Sequence, residues 1–260
     1  MTSNSSTSSN LRQLLSRLVL PHNEILYLHV QLKGLVGLTS GYSYTDVTQN
    51  LINSLNSLYK PKAILVPTFT YSFTKKGVYD RVNTASEVGR FSEEVRTIYS
   101  HHKRTMNPVF SVVDITGLTD QMDLKEDTAF GVGSLMHTLH EIGYITVNIN
   151  TPQLISTYFH YLEAHYELDY RFSKFFSGKV SKDGKNFERI NYEYYVRNTH
   201  LDTSWRRDKI QSFLLESNTL HVSDQDNKRL SWFSSYDVNR TLGTKLLNEP
   251  HFMITNENYD

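Results

Sequence analysis

Short apolar strands alternate with amphipathic helices along the first two thirds of this chain. The segment EILYLHVQL (24–32) has an alternating pattern, and KAILVPTF (62–69) is a short apolar run ended near Pro67, so both are predicted to be strands. Between them, TDVTQNLINSLNSLY (45–59) has apolar residues at helical spacing behind a threonine cap and predicts a helix. Strands that alternate with helices favour a three-layer α/β/α core, because helices can then cover both faces of one sheet.

The same alternation continues towards the middle of the chain. Further helices are predicted at 11–20, at 133–143 and from about Ser156, and further strands at 111–117 and 144–149. No run approaches the roughly 20 apolar residues that a membrane-spanning helix needs, so we expect no membrane partner. The start of the chain lacks the apolar core of a secretory signal, which favours a cytoplasmic protein.

The sequence pattern changes after Arg171. Residues 177–198 predict a hairpin around the turn KDGK, and helices are predicted near 206–217 and 234–248. This last third is expected to be a C-terminal α+β extension of the core.

The composition excludes several classes of function. The chain has no cysteine, which rules out disulfides, thiolate metal sites and an acyl-cysteine intermediate. Its 27 basic and 27 acidic residues give a formal net charge of zero, which lends no support to a nucleic-acid partner or an acidic-lipid surface. Residues 1–10, MTSNSSTSSN, have the composition of a disordered tail, and residues 11–260 are expected to form one domain.

Histidine, acid and tyrosine are concentrated in ISTYFHYLEAHYELDYRF (155–172). His160 and Glu163 are three residues apart and share a helix face, whereas His165 is five residues from His160 and points elsewhere. The spacing does not match a zinc-binding H-E-x-x-H helix, so a metal site is not favoured. A proton-transfer site and an ordinary amphipathic helix both remain open, and on spacing alone a half-buried structural histidine is the commoner role.

Two other segments have features of anion-binding sites. The glycines of FGVGS (130–134) precede a predicted helix and could let backbone N–H groups approach a phosphate, although a plain turn explains them equally well. In KRTMNPVFS (103–111), Arg104 could hold a phosphate through two hydrogen bonds, although a lone arginine is more often a solvated surface residue.

Taken together, these segments resemble the aminoglycoside 3-N-acetyltransferase family. The segments that carry the resemblance occur in the family's order: LYLHVQLKGLVG (26–37), ILVPTFTYSF (64–73), EVGRFSEEVR (87–96), RTMNPVFSV (104–112), FGVGS (130–134) and STYFHYLE (156–163). The resemblance implies the family's own α/β fold and an acyl-CoA-dependent N-acyltransferase with acyl-CoA as co-substrate. It implies no metal, and it leaves open a homo-oligomer.

The resemblance also implies roles for particular residues. In the family, the histidine of Ser-Thr-x-x-His-x-x-Glu is the catalytic base, which corresponds here to His160. Glu93 lies where the family has a carboxylate that orients this histidine. The thioester oxygen gains negative charge in the transition state and needs a hydrogen-bond donor, for which we expect Thr68 or backbone N–H groups near it.

Contacts to both small-molecule substrates follow from the same comparison. The residues expected to bind CoA are His29, Val30, Gln31, Leu32, Lys33, Gly34, Arg104, Ser111, Phe130, Gly131 and Ser134. The residues expected to bind the acceptor are Asn107, Tyr71, Glu163, Tyr170 and Arg171. The C-terminal third adds aromatic and basic candidates for a nucleotide or diphosphate, namely Tyr192, Tyr194, Tyr195, Arg197, Trp205, Arg206 and Arg207.

The chain departs from the family's pattern at two places. Val30-Gln31 stands where the family has Ser-Ser, and Asn107-Pro108 stands where it has His-Pro. The second departure resembles enzymes that acylate amino sugars for surface polysaccharides. We therefore predict an N-acyltransferase for an amino sugar, nucleotide-linked, with two alternatives: an aminoglycoside acetyltransferase of the resistance type, and a CoA- or sugar-binding protein without catalysis.

Overall fold

The computed structural model describes residues 4–39, 43–200 and 202–255 of the chain. Its helices are α1 (Asn4–Ser16), α2 (Tyr44–Tyr59), α3 (Phe73–Lys76), α4 (Arg90–Lys103), α5 (Leu135–Ile142), α6 (Tyr158–His165), α7 (Arg207–Glu216), α8 (Ser235–Val238) and α9 (Thr244–Asn248). Its strands are β1 (Ile25–Val30), β2 (Ala63–Pro67), β3 (Val78–Asp80), β4 (Val112–Asp114), β5 (Ile145–Ile149), β6 (Arg171–Ser181), β7 (Phe187–Arg197), β8 (His221–Gln225) and β9 (Lys228–Ser234). Short 3₁₀ turns occur at Val36–Leu38 and Thr119–Gln121, and a π-helical turn at Asn239–Gly243 joins α8 to α9.

The main sheet is mixed and has the strand order β4-β2-β1-β5-β9-β8. Strand β1 lies between β2 and β5 and is parallel to both, with Leu26 opposite Ile64 and Leu28 opposite Val147. Strands β4 and β9 pair antiparallel with β2 and β5. The central strands are buried along almost their whole length, which explains why their sequences are nearly continuous apolar runs.

Two hydrophobic cores cover the two faces of this sheet. Successive side chains of a strand point to opposite faces. Accordingly, Leu26 and Leu28 pack in the core on the side of α1, α2 and α4, whereas Ile25 and Tyr27 pack with α5, α6 and α7. The sheet with a core on each face confirms the predicted three-layer α/β/α architecture.

The second sheet is built around the predicted hairpin. Strands β6 and β7 pair antiparallel from Arg171 opposite Arg197 to Ser181 opposite Phe187, and β3 adds a third strand. In the turn, Gly184 has φ +75, and the Asp183 carboxylate accepts hydrogen bonds from backbone N–H groups of the next residues. This pairing places the first residue of β6 and the last residue of β7 side by side, next to α6.

Several expectations about local structure were wrong. Helix α1 begins at Asn4, so residues 4–10 lie in a helix rather than in a disordered tail, while residues 1–3 lie outside the described residues. Extending a helix that is already anchored by buried leucines costs less than starting one, which explains the longer helix. The side-chain cap of α2 is Ser43, which accepts from the backbone N–H of Asp46, and not Thr45.

Helix α4 and the last two strands, β8 and β9, were not predicted from the sequence. Helix α4 is an amphipathic helix whose Phe91 and Val95, four residues apart, pack in the core, so its spacing was a usable signal. Strand β9 pairs with β5 over Ile145–Ile149, so part of the predicted C-terminal extension belongs to the main sheet itself.

Candidate active site

His160 is positioned by a short helix that follows a central strand. Helix α6 comes after the carboxyl end of β5, and Ser156 Oγ accepts a hydrogen bond from the backbone N–H of Tyr158 at its first turn. His29 lies near the carboxyl end of the neighbouring parallel strand β1. Ligands of α/β sheets bind at the carboxyl ends of parallel strands, so the fold places His160 at the edge where a substrate is expected.

A buried carboxylate fixes the orientation of the His160 ring. His160 Nδ1 lies 2.8 Å from Glu163 Oε2, and the Glu163 side chain is fully buried. An ionised carboxylate can only accept hydrogen bonds, so Nδ1–H is the donor and the lone pair of the neutral ring is on Nε2. The remaining exposure of the His160 side chain, 30%, leaves this ring accessible for proton transfer.

Two further side chains hold Glu163 in place. Trp205 donates from Nε1 to Glu163 Oε1 at 2.8 Å, and Arg171 Nε lies 2.7 Å from Oε2. The Trp205 ring also lies against the His160 ring, with 4.4 Å between their centroids. His160, Glu163, Arg171 and Trp205 therefore form one contiguous cluster.

The cluster shifts the pKa values of its members. Burial lowers the pKa of His160, the hydrogen bond to Glu163 opposes this, and the charges of Arg171 and Arg197 add to the lowering. Burial by itself would raise the pKa of Glu163, but the contacts with His160, Arg171 and Trp205 outweigh burial and lower it. His160 is consequently neutral near pH 7 and Glu163 is ionised, which is the state that a general base requires.

Two cavities meet at His160. The larger one, about 590 Å³, is lined by His29, Val30, Gln31, Leu32 and Lys33, together with residues of the loops after β2 and β5. The smaller one, about 380 Å³, is lined by residues of β6 and β7 and of the loop before α7. Tyr71, His160, Trp205 and Arg207 line both, so one histidine faces two neighbouring spaces.

The residues predicted to bind CoA do not share one cavity. His29 to Lys33 line the 590 Å³ cavity beside His160. Gly34 lines a different cavity, next to Lys228. Phe130 and Gly131 line a third cavity with His165, and Ser134 is buried as the cap of α5, where it accepts from the backbone N–H of His137.

Arg104, Thr68 and Ser111 form a buried structural cluster. The Arg104 guanidinium donates to backbone carbonyls of Thr68 at 2.7 Å and Thr84 at 2.6 Å, and Nε lies 3.1–3.2 Å from the hydroxyls of Ser111 and Thr68. The Arg104 side chain is almost completely enclosed. The structure does not bring Arg104 to either cavity at His160, and its guanidinium instead joins the loop near Thr84 to the strands.

Thr68 was predicted to donate a hydrogen bond to the thioester oxygen, but its donors are used within the same cluster. Its backbone N–H donates to the Ser111 carbonyl at 2.8 Å, and its hydroxyl contacts Ser111 and Arg104. Neither donor is left for a thioester oxygen.

Glu93 does not reach His160. Its carboxylate pairs with Arg96 on the same helix at 2.6 Å and accepts from the backbone N–H of Ser86 at 2.8 Å. The structure therefore does not bring Glu93 to His160, and the carboxylate beside His160 is that of Glu163, which was predicted to contact the acceptor. The physical reason is proximity: Glu163 is one helical turn from His160, whereas Glu93 is tied to another helix.

The remaining predicted acceptor residues divide between the site and the core. Tyr71 and Arg171 line the 380 Å³ cavity. Asn107 is buried, with its side-chain oxygen accepting from Tyr192 and from two backbone N–H groups, so it orders a turn and faces no substrate. Tyr170 is fully buried and lines neither of the cavities at His160.

The C-terminal third contributes more to the site than its local patterns indicated. Tyr194, Arg197, Trp205 and Arg207 line the smaller cavity, whereas Tyr192, Tyr195 and Arg206 do not. All seven residues were predicted as candidates for contact with a nucleotide or diphosphate. Arg90 and Tyr44 also line the larger cavity and were not predicted.

The described part of the chain contains no group of three His, Asp or Glu side chains that could hold a metal ion. No helix within residues 4–39, 43–200 and 202–255 is long and apolar enough to cross a membrane.

Known structures share this fold at low sequence identity. AAC-IIIb, solved as a binary complex with CoASH, has a TM-score of 0.73 at 15% identity, with 93% of this chain and 96% of that chain covered. Sisomicin-bound AAC-VIa has a TM-score of 0.72 at 18% identity, covering 94% and 98%. The YokD protein from Bacillus subtilis has a TM-score of 0.69 at 15% identity, covering 93% and 98%. No curated protein sequence matches.

The sequence profile of the aminoglycoside 3-N-acetyltransferase family matches residues 28–240, which is most of the chain. This match confirms the resemblance found in the sequence, and enzymes of this type use acyl-CoA as co-substrate. The chain belongs to the aminoglycoside 3-N-acetyltransferase family and is an acyl-CoA-dependent N-acyltransferase of that type.

Proposed function

We propose that this enzyme transfers an acyl group from acyl-CoA directly to the amine of an amino sugar that is linked to a nucleotide, as in surface polysaccharide synthesis. The observation that carries this proposal is the position of His160 between two cavities. A base that faces both spaces can contact an acceptor amine in one while a thioester lies in the other, so both substrates can be bound at once.

The larger cavity suits the donor. Its wall includes the apolar side chains of Val30, Leu32 and Phe69, which can pack against the methyl and methylene groups of the pantetheine arm of CoA. Lys33 and Arg90 also line it and are exposed, so they lie where it opens to solvent and could meet CoA phosphates. Acyl-CoA would supply the activated acyl group there.

The smaller cavity suits an acceptor without a strong positive charge. Its described lining includes the aromatic side chains Tyr71, Tyr194 and Trp205, which can pack against a sugar ring. No Asp or Glu is among the described residues of this lining, so a polycation would find no carboxylate to pair with there. This absence supports a nucleotide-linked amino sugar over an aminoglycoside.

The proposed reaction is a single transfer. The neutral acceptor amine attacks the thioester carbonyl carbon, its proton moves to His160 Nε2, and the carbon–sulfur bond breaks. The departing CoA thiolate then takes the proton from the imidazolium and leaves as the thiol. Glu163 stabilises the imidazolium through Nδ1–H, and Trp205 and Arg171 keep Glu163 in position.

Family membership supports an aminoglycoside as the alternative acceptor, because the related AAC-VIa was solved with sisomicin bound. The intact His160–Glu163 pair supports catalysis over the third hypothesis, a binding protein without activity.

An assay of CoA release with different acceptors tests the proposal. With acetyl-CoA as donor, we expect kcat/KM for a nucleoside-diphosphate amino sugar to exceed that for kanamycin-type aminoglycosides by at least roughly 100-fold, because this ratio measures discrimination between acceptors. If aminoglycosides were acylated efficiently and no amino-sugar nucleotide were acylated, the acceptor would instead be an aminoglycoside. No CoA release with either class, from protein that binds CoA, would favour the non-catalytic alternative.

The pH profile tests the role of Glu163. In the native enzyme, kcat should fall as the pH drops through the lowered pKa of His160, because protonation removes the base. Glu163→Gln removes the charge that raises this pKa, so the acid limb should move to lower pH. Its kcat should also fall roughly 10- to 100-fold, the loss of one hydrogen bond to a charged group.

Glu167→Gln is the matched control for this experiment. Glu167 is exposed, lies in the turn just after α6 and lines neither cavity at His160. Its variant should keep the native profile. An acid limb that stays in place or moves upward in Glu163→Gln would show that Glu163 does not act on the base.

A further inference from the structure

The smaller cavity collects positive charge around the base. Arg171, Arg197 and Arg207 all line it together with His160, and no described lining residue is acidic. In the described part of the chain, neither Arg197 nor Arg207 forms an ion pair with a carboxylate. Arg207 instead lies over the Trp205 ring, with its guanidinium carbon 5.6 Å from the ring centre. Two of the three arginines therefore form no direct ion pair in this part of the structure, and the carboxylate that interacts with Arg197 from a longer distance is that of the exposed Asp202.

The hairpin register brings two of these arginines together. Arg171 and Arg197 are direct cross-strand partners at the open end of β6 and β7. Side chains at such positions start about 5 Å apart, and like charges placed there destabilise a sheet. Glu163 offsets the charge of Arg171 from one side, and both arginines line the cavity beside His160.

Arg171 is a buried residue of the cavity wall, and some of its N–H donors are not used by protein groups. Its side chain is only 4% exposed, and its Nε lies beside Glu163. Its Nη2 lies 3.2 Å from His160 Nδ1. Since Nδ1 carries the proton that is donated to Glu163, it cannot also accept from Arg171. The Nη2 group therefore retains N–H donors for a ligand in the cavity.

We propose that Arg171, Arg197 and Arg207 form a subsite for one anionic group of the acceptor, a phosphoryl group or a carboxylate. This inference rests on the proposed function, because it assigns the cavity to the acceptor. Guanidinium groups bind phosphate and carboxylate oxygens through paired hydrogen bonds. Holding the anionic group would fix the sugar with its amine towards His160, and it would neutralise the repulsion between the paired arginines.

Binding of small anions tests the subsite without any turnover. The probes are UDP, glucose 1-phosphate and glucuronate, each titrated by calorimetry into enzyme saturated with CoA so that the donor cavity is filled. We expect at least one probe to bind, and Arg197→Gln and Arg207→Gln each to weaken its binding about 10- to 100-fold. The probe that binds best identifies the source as nucleoside diphosphate, sugar phosphate or uronic acid.

Arg189→Gln is the matched control. Arg189 lies on β7 like Arg197, is exposed and lines neither cavity at His160, so the same charge change should leave the dissociation constants unchanged. Both test arginines are exposed, and their variants are expected to fold.

Measurements of turnover distinguish a failure of the subsite proposal from a failure of the proposed function. For an amino sugar that carries the preferred anionic group, kcat/KM should fall about 10- to 100-fold in the arginine variants, while the loss should be far smaller for a methyl glycoside of the same amino sugar, which lacks the anionic group. Equal losses of kcat/KM for both acceptors would contradict the subsite. Anion binding that CoA abolishes would also contradict it, because the arginines would then hold CoA phosphates. Anion binding that persists beside CoA without acylation of any amine would overturn the proposed function and leave the anion site standing.

Discussion

Replacement of His160 by asparagine should lower kcat by about 10²–10⁴-fold, which is the usual contribution of a positioned general base. An amine must lose a proton as it adds to the thioester carbonyl, and His160 is the side chain placed to take that proton, with Nδ1 held by Glu163 and Nε2 left to accept. The variant should still bind CoA with nearly native affinity, because the residues that line the larger cavity are otherwise unchanged. Steady-state kinetics and calorimetry with CoA measure the two effects separately.

His165→Asn is the control for this variant. His165 is on the same helix, but it is exposed, faces a different cavity and contacts the Tyr161 hydroxyl at 3.2 Å. This variant should retain most of the activity. Near-normal kcat in His160→Asn or His160→Ala would remove His160 from the mechanism, and loss of CoA binding together with activity would indicate a structural role.

Arg104→Met should destabilise the protein by about 3–5 kcal/mol, because several buried groups would lose their partner at once. Arg104 donates to the carbonyls of Thr68 and Thr84, and its Nε lies within hydrogen-bond distance of the Ser111 and Thr68 hydroxyls. Methionine fills a similar volume but supplies no donor, so these buried acceptors would be left unpaired. Urea denaturation of the native and variant enzymes measures the difference in unfolding free energy.

A surface arginine calibrates this measurement. Arg240 is 71% exposed and pairs with Asp237, so Arg240→Met should change the unfolding free energy by less than about 1 kcal/mol. Native stability of Arg104→Met combined with weakened CoA binding would contradict the buried-cluster role. That result would restore the prediction, made from the sequence, that Arg104 contacts a CoA phosphate.

Local sequence patterns were sufficient for the elements whose periodicity is strong. The runs that became β1, β2 and β5 are apolar because both faces of these strands are covered, and KDGK supplied the turn chemistry of the β6–β7 hairpin. Elements with weaker signals were missed or misplaced. Strand β8 is mostly exposed. The first turns of α1 are polar, and the buried leucines of this helix lie further along the chain.

Residue spacing predicted that His160 and Glu163 share one helix face, and the order of the motifs made His160 the candidate base, because both kinds of information are local to the chain. Other features depend on contacts between segments far apart in sequence. These are the carboxylate that contacts His160, the burial of Arg104 and the set of arginines around the site. Arg171 meets Arg197 through strand register, and Trp205 reaches Glu163 across 42 positions of the chain. Periodicity reports which face of an element is buried but not what is packed against it, so only the tertiary structure could decide these partners.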